Sequence, residues 1–258
     1  MKKLLTAAWV ILLSISIFIV SDYLLESNRN NKMYDELRTQ VSTVSAHNNV
    51  EMTRPIKEQK TIEDDIVVEV EKVITEKFQF LLDEVNQDIV GWITIPGTVI
   101  DYPVVKGEDN DFYLDRNVNK RKARAGSIFM DFRNSRVNDD IHTILYGHNM
   151  KDGSMFKELI NFKDEYFFNK FRVIEYHNLY EQTEWEIFSV YVTNTDFYYI
   201  ETDFSTNSDY QLFLDSIVKR SLFETDIEVM VGDQIMTLST CDYDFEDARL
   251  VVHAKKVK

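Results

Sequence analysis

The only cysteine of this 258-residue chain, Cys241, closes the run Thr237-Leu238-Ser239-Thr240-Cys241, and Arg249 follows eight positions later. A single thiol has no intramolecular disulfide partner, which leaves it as a small buried hydrophobe or as a nucleophile. Ile235 to Cys241 alternates as a half-buried strand does. Met236, Leu238 and Thr240 fall on one face, and Thr237, Ser239 and Cys241 on the other. Six mostly polar residues, 242–247, lead into a second strand-like run from Ala248 to Lys255. In the simplest hairpin register Cys241 lies opposite Arg249, Ser239 opposite Val251 and Thr237 opposite His253. Directly opposed residues share a face. The spacing therefore sets a thiol beside a guanidinium on the more polar face of a hairpin end, which favours the nucleophile.

A cysteine nucleophile at neutral pH needs a base or a cationic partner. Five histidines are available: His47, His142, His148, His177 and His253. His47 lies in a polar N-terminal stretch, His142 inside a strand-like run, and His177 before Asn178 in a predicted exposed turn. His253 sits on the last strand, two pairs from Cys241, and is the weaker rival. His148, in Tyr146-Gly147-His148-Asn149-Met150, stands just past a strand, where Gly147 lets the backbone turn and the imidazole face a cleft. It is the best partner. No His/Cys/Asp cluster has metal-ligand spacing, and the chemistry calls for no metal and no cofactor.

These residues must be held by short strands separated by turn signals. Val90–Ile95, Val99–Val105, Ser127–Asp131, Ile141–Tyr146, Phe171–Tyr176 and Glu184–Thr193 precede the final pair. Strands this numerous with few helices between them predict a mostly antiparallel barrel or sandwich. Met155–Phe162 and Ser208–Leu222 read as helical. The second lies in a long connection, about Thr195 to Gly232, rich enough in aromatic and aliphatic residues to be ordered. Upstream, Ile66, Val70, Ile74, Phe78, Leu81 and Val85 recur at spacings of three and four, an amphipathic helix with Glu63, Asp64 and Asp65 in its first turn. Residues 26–61 are polar with no sustained apolar period and read as a stalk, helical in parts or disordered.

Met1-Lys2-Lys3 precedes an uncharged run from Leu4 to Ser21. Eighteen helical residues at roughly 1.5 Å each reach about 27 Å, near the hydrocarbon thickness of a bilayer. No convincing small-x-small cleavage site follows, so an uncleaved signal anchor is preferred over a cleaved signal peptide. Lys2 and Lys3 then place the N-terminus in the cytoplasm and the rest of the chain outside. The expected division is 1–25 anchor, 26–61 stalk and 62–258 catalytic domain. With 29 basic against 44 acidic residues the net charge is −15, which argues against a nucleic-acid partner. Solubility accounts for the acidity.

An apolar anchor, Tyr-Gly-His-Asn after a strand, Thr-Leu-Ser-Thr-Cys and an arginine on the final strand together resemble the sortases. The likeness is greatest to class B, the membrane-anchored cysteine transpeptidases of Gram-positive bacteria. Asp88-Ile89-Val90-Gly91-Trp92-Ile93, Ile100-Asp101-Tyr102-Pro103-Val104-Val105 and Ala125-Gly126-Ser127-Ile128-Phe129 resemble that class too. The resemblance covers about Phe78 to the C-terminus. It implies an eight-stranded β-barrel with Cys241, His148 and Arg249 at one end of a groove. It further implies cleavage of a C-terminal sorting signal of secreted surface proteins, usually after Thr, through a thioacyl-enzyme. The acyl group then passes to an amine of a cell-wall peptidoglycan precursor, or to another surface protein in pilus-type members. By the same resemblance Thr195, Tyr199, Ile200 and Ser239 line the signal pocket. Two other readings use the same residues: a papain-like cell-wall cysteine peptidase or amidase, and a surface module with an inert cysteine. Papain-like chains place the Cys before the His at a helix start, opposite to the order here.

Overall fold

The computed structural model describes residues 2–48, 73–136 and 140–258. Eight strands form a closed barrel: β1 (Ile89–Thr94), β2 (Asp101–Val105), β3 (Ile128–Met130), β4 (His142–Tyr146), β5 (Val173–Asn178), β6 (Gln182–Thr193), β7 (Ile235–Cys241) and β8 (Arg249–Lys256). They run in the order β1-β2-β3-β4-β7-β8-β6-β5, and β5 closes on β1. Six of the eight pairings are antiparallel; β2–β3 and β4–β7 are parallel. Every strand-like run in the sequence becomes a strand, and the closed barrel is the arrangement that leaves no open edge.

The period of two decides what each strand buries. Met236 and Leu238 of β7, with Leu250, Val252 and Ala254 of β8, join the large core inside the barrel. Ile235 and Val251 point the other way, into a second cluster with Phe188, Tyr191, Tyr199, Tyr210, Leu214 and Ile217. That cluster lies under the β6–β7 connection and its helix, Asn207–Lys219, whose Thr206 side chain caps the N-terminus by accepting from Asp209 N. The long connection is ordered because it covers an apolar outer face of the sheet.

Beneath that cover runs a chain of buried hydrogen bonds. His142 Nδ1 lies 2.6 Å from the Glu201 carbonyl and its Nε2 lies 2.6 Å from Thr237 Oγ1. Thr237 Oγ1 is 2.7 Å from His253 Nδ1, and His253 Nε2 is 2.8 Å from the Tyr191 hydroxyl. A carbonyl only accepts, so His142 Nδ1 donates to it. In a neutral ring Nε2 then accepts from the Thr237 hydroxyl, which must in turn accept from His253 Nδ1. Tyr191 completes the chain by donating to His253 Nε2. Every polar atom is satisfied only while both imidazoles are neutral. His142 is thus structural, as its place in a strand suggested, and His253 has no ring nitrogen free for chemistry. His177 departs from expectation. It lies in β5 opposite Trp92 rather than in an exposed turn, and burial lowers its pKa to about 4.

The N-terminal helix, Lys2–Asn48, is longer than the apolar run. It is the one described helix long and apolar enough to cross a membrane. Residues expected to be a stalk continue it and pack on the barrel. Asn30, Tyr34, Leu37 and Val41, spaced four, three and four apart, are all buried. Tyr34 meets Tyr102 edge-on at 5.2 Å, and Arg38 lies over the same ring while its Nε donates to the Asp101 carbonyl at 2.8 Å. The short helix Glu76–Glu84 buries Phe78 and Leu81. The expected helical positions Ile66 and Val70, the acidic cluster 63–65 and residues 49–61 lie outside the described residues.

Burial lowers the His142 pKa to about 4, and lowers His253 well below its ordinary value. Between pH 4 and 6.5 the unfolded chain therefore binds more protons than the native one, and stability falls as pH falls through that window. His142 alone accounts for about 2 kcal/mol between pH 7.5 and 5.0. Urea unfolding at the two pH values reads this directly. Equal stability at both would contradict the neutral chain of hydrogen bonds.

Candidate active site

The β7–β8 ladder pairs Cys241 with Arg249, Ser239 with Val251 and Thr237 with His253, the simplest register of the hairpin. Cys241, the last residue of β7, is partly exposed. The ladder continues one step into the turn, where Asp242 N donates to the Ala248 carbonyl at 2.9 Å. Lys163 then staples the turn, 3.0 Å from both the Asp242 and Asp244 carboxylates. Asp244 is thereby committed to Lys163. The Arg249 guanidinium donates to the Ala248 carbonyl at 3.0 Å and lines the cleft beside Cys241. A surface ion pair with Asp244 does not account for it.

His148 arrives through the parallel β4–β7 pairing. Tyr146 pairs with Ser239, and Gly147 N extends the ladder to the Ser239 carbonyl at 3.2 Å. Two residues beyond that pair on the two strands stand His148 and Cys241. Asn149 Nδ2 donates to the Cys241 carbonyl at 2.9 Å and ties the strand ends together. Gly147 is required by space rather than by a turn: a Cβ there would overlap the Ile128 and Phe156 side chains. His148 Nε2 lies 2.7 Å from the Leu114 carbonyl, so Nε2 carries a proton. Nδ1 is then the atom at which the neutral ring accepts one.

Cys241, His148 and Arg249 line one cleft of about 310 Å³, with Ser239, Thr240, Tyr146, Gly147, Phe129, Leu114, Asn110 and Asp111. Tyr199, on the long connection, is buried behind the cleft and is not among its lining residues. Its hydroxyl is 2.9 Å from Ser239 Oγ. Burial raises the Tyr199 pKa, against the bond to Ser239 and the Arg249 charge. Of the residues expected in a signal pocket, Ser239 alone lines the cleft, and Tyr199 supports it from behind through the bond to its hydroxyl. Thr195 is exposed on the connection, and Ile200 packs in the second cluster. Neither is among the cleft's lining residues. Among the described residues no group of His, Cys, Asp and Glu could hold a metal ion.

Sequence reading missed the support of this cleft. Asp131 is wholly buried at the end of β3 and accepts from Arg133 Nε at 2.8 Å, Arg133 Nη2 at 2.8 Å, Asn110 Nδ2 at 3.0 Å and the Tyr146 hydroxyl at 2.8 Å. Burial pushes its carboxyl up, but these bonds outweigh burial and hold it below the usual range. Arg133 donates onward to the Tyr198 hydroxyl at 2.8 Å and the Ile200 carbonyl at 2.9 Å. One ion pair thus ties two cleft-lining side chains to the connection that carries Tyr199. The only sequence signal was Asp and Arg two residues apart at a strand end, which is too common to single out.

A sortase domain family matches residues 93–257. The chain belongs to the class B sortases. It is 46% identical over 178 residues to the sortase B of Listeria monocytogenes serovar 1/2a, covering 68% of this chain and 72% of the relative. Among solved structures, the Staphylococcus aureus sortase B–substrate complex superposes with a TM-score of 0.77 at 35% identity, covering 91% of this chain and 99% of that one. A sortase B complexed with triglycine gives 0.75 at 36% identity, covering 90% and 99%. The eight-stranded barrel is the fold of this class, and the sortase is a cysteine transpeptidase of the kind that anchors surface proteins.

Replacing Arg133 by Lys keeps the charge but cannot hold Asp131 with two nitrogens and also reach Tyr198 and Ile200. With peptide substrate, KM is expected to rise about tenfold, the effect of one or two lost hydrogen bonds of about 1 kcal/mol, while kcat changes little. Steady-state kinetics of Arg133→Lys checks this. An unchanged KM would remove the ion pair from substrate recognition.

Proposed function

We propose that this sortase cleaves a C-terminal sorting signal of secreted surface proteins after a threonine and transfers the new carboxyl end to an amine of a peptidoglycan precursor. The observation that carries the reading is the convergence of Cys241, His148 and Arg249 in a single cleft. Once its proton has passed to His148, Cys241 Sγ attacks the threonine carbonyl as a thiolate, and the carbonyl oxygen gains negative charge as the tetrahedral intermediate forms. Arg249, on the paired strand position, donates to that oxygen. The peptide C–N bond breaks, and the leaving amine takes its proton from His148. A thioester on Cys241 remains, reactive enough toward amines to wait for an acceptor. The acceptor amine gives its proton to His148 as it attacks, the C–S bond breaks, and the thiolate is restored.

Ser239, held from behind by Tyr199 beside the cysteine, contacts the signal, with Thr195 and Ile200 further along the connection. The triglycine held by one relative suits a primary amine on a small residue as acceptor. Residues 1–25 anchor the chain in the cell membrane as a single span, with the catalytic domain, 62–258, outside. Lys2 and Lys3 before the apolar run support that orientation.

Incubation with a sorting peptide, with and without triglycine, tests the reading. Ligated product is expected to dominate when the amine is present; hydrolysis alone, unchanged by amine, would indicate a peptidase. Arg249→Lys is expected to lose a factor of about 10²–10³ in kcat, the usual loss for one oxyanion donor. Thiol labelling of Cys241 should persist in that variant. Near-normal turnover of Arg249→Lys would reduce the arginine to a general positive charge.

A further inference from the structure

The N-terminal helix leaves its apolar run at Ser21, yet the next turns still expose Leu24 and Leu25, 58% and 60% accessible. Just beyond, the helix meets the loop before β3. Arg124 pairs with Asp22 at 2.8 Å and with Glu26 at 3.0 Å, and Arg124 N donates to Glu26 at 2.7 Å. Next to this contact lies a groove of about 290 Å³, with Glu26, Arg29, Asn30, Asn119, Arg121 and Lys122 among its lining residues.

Two observations point to a ligand there. First, the charges in the groove are unequally matched. Glu26 is committed to Arg124 and Lys122 to Asp115, whereas Arg29 and Arg121 have no carboxylate partner among the described residues. In a chain of net charge −15, two unmatched guanidinium groups facing one groove form a local anion site. Second, the Arg29 side chain folds back along the helix, its Nε 3.2 Å from the Leu25 carbonyl. The guanidinium therefore lies at the height of the last exposed leucines. Leu25 is four residues past Ser21, roughly 6 Å along a helix axis, which is where headgroups meet the hydrocarbon.

We propose that this groove binds the phosphodiester headgroup of an anionic lipid, of which phosphatidylglycerol is the simplest. The phosphate oxygens accept from Arg29 and Arg121. A bound lipid would bridge helix and loop, and so fix how the barrel stands over the membrane. The assignment to a lipid rests on the membrane-anchor reading above; the groove's demand for an anion does not.

The test uses the full chain in uncharged detergent micelles, so that it does not depend on insertion into a bilayer. Short-chain dihexanoyl phosphatidylglycerol, dihexanoyl phosphatidylcholine and inorganic phosphate are each titrated, with bound molecules counted by native mass spectrometry. One phosphatidylglycerol is expected to bind at least tenfold more tightly than either of the others. Arg29→Gln/Arg121→Gln is expected to lose that preference, with melting temperature and peptide turnover in micelles unchanged. Equal retention of both lipids, or equal retention by wild type and double variant, would overturn the site. Inorganic phosphate binding as tightly as phosphatidylglycerol would overturn the lipid assignment. Flotation of the full chain with phosphatidylcholine vesicles judges the anchor separately: failure to float would count against the anchor and leave the micelle result standing.

Discussion

The β7–β8 register is the constraint on which the site depends. Side chains alternate between faces every residue, so a slip by one would exchange the two faces of a strand. Cys241 would then turn toward the side where Met236 and Leu238 fill the barrel, and Ile235 and Thr237 would be driven into that core. Apolar burial on both faces penalises the slip: Leu238 and Val252 inside, Ile235 and Val251 outside. The chemistry inherits the precision of the packing. Because Cys241 is paired with Arg249 and two steps from the Tyr146–Ser239 pair, the thiol, guanidinium and imidazole are set by two ladders rather than by flexible loops.

The polar groups around the site are distributed by the same logic. Thr237 and His253, four ladder positions before Cys241 and Arg249, occupy the same outer face but lie under the β6–β7 connection. They become a closed chain of hydrogen bonds with His142 and Tyr191. Where the cover ends, the same face becomes the cleft, and the next residues on it are free to react. Asp131 and Arg133 hold the boundary, one carboxylate satisfying Asn110 and Tyr146 while its arginine partner holds Tyr198 and Ile200. A buried ion pair is a weak source of net stability and a strong source of fixed geometry only when every donor and acceptor is used, as they are at Asp131.

Much of this was legible in the sequence wherever the signal was local. The alternation of Ile235 to Cys241 gave strand, face and hairpin register together, and the Tyr-Gly-His-Asn run marked the histidine. Contacts between distant segments were not legible. Nothing in the sequence around Leu114 announces that its carbonyl orients His148, or that β4 and β7, about ninety residues apart, pair in parallel. Asn30, Tyr34, Leu37 and Val41 form a helical stripe, but one apolar residue per turn amid charges is too thin to stand out from a solvated segment. Gly147 was singled out correctly and for the wrong reason, since crowding by Phe156 and Ile128 is a tertiary fact. Thr195, Tyr199 and Ile200 follow from family resemblance alone; of the expected pocket residues the cleft is lined by Ser239, which Tyr199 holds from behind.

The proposed transfer requires that the N-terminal fragment of a cleaved peptide reside on Cys241 as a thioester between the two halves of the reaction. Intact-mass measurement after acid quench of the enzyme with a pool of sorting peptides, without acceptor amine, tests it directly. An adduct of the mass of that fragment is expected, mapped to Cys241 and removed by hydroxylamine. Peptide cleavage at full rate with no adduct at any quench time, or an adduct on another residue, would contradict it.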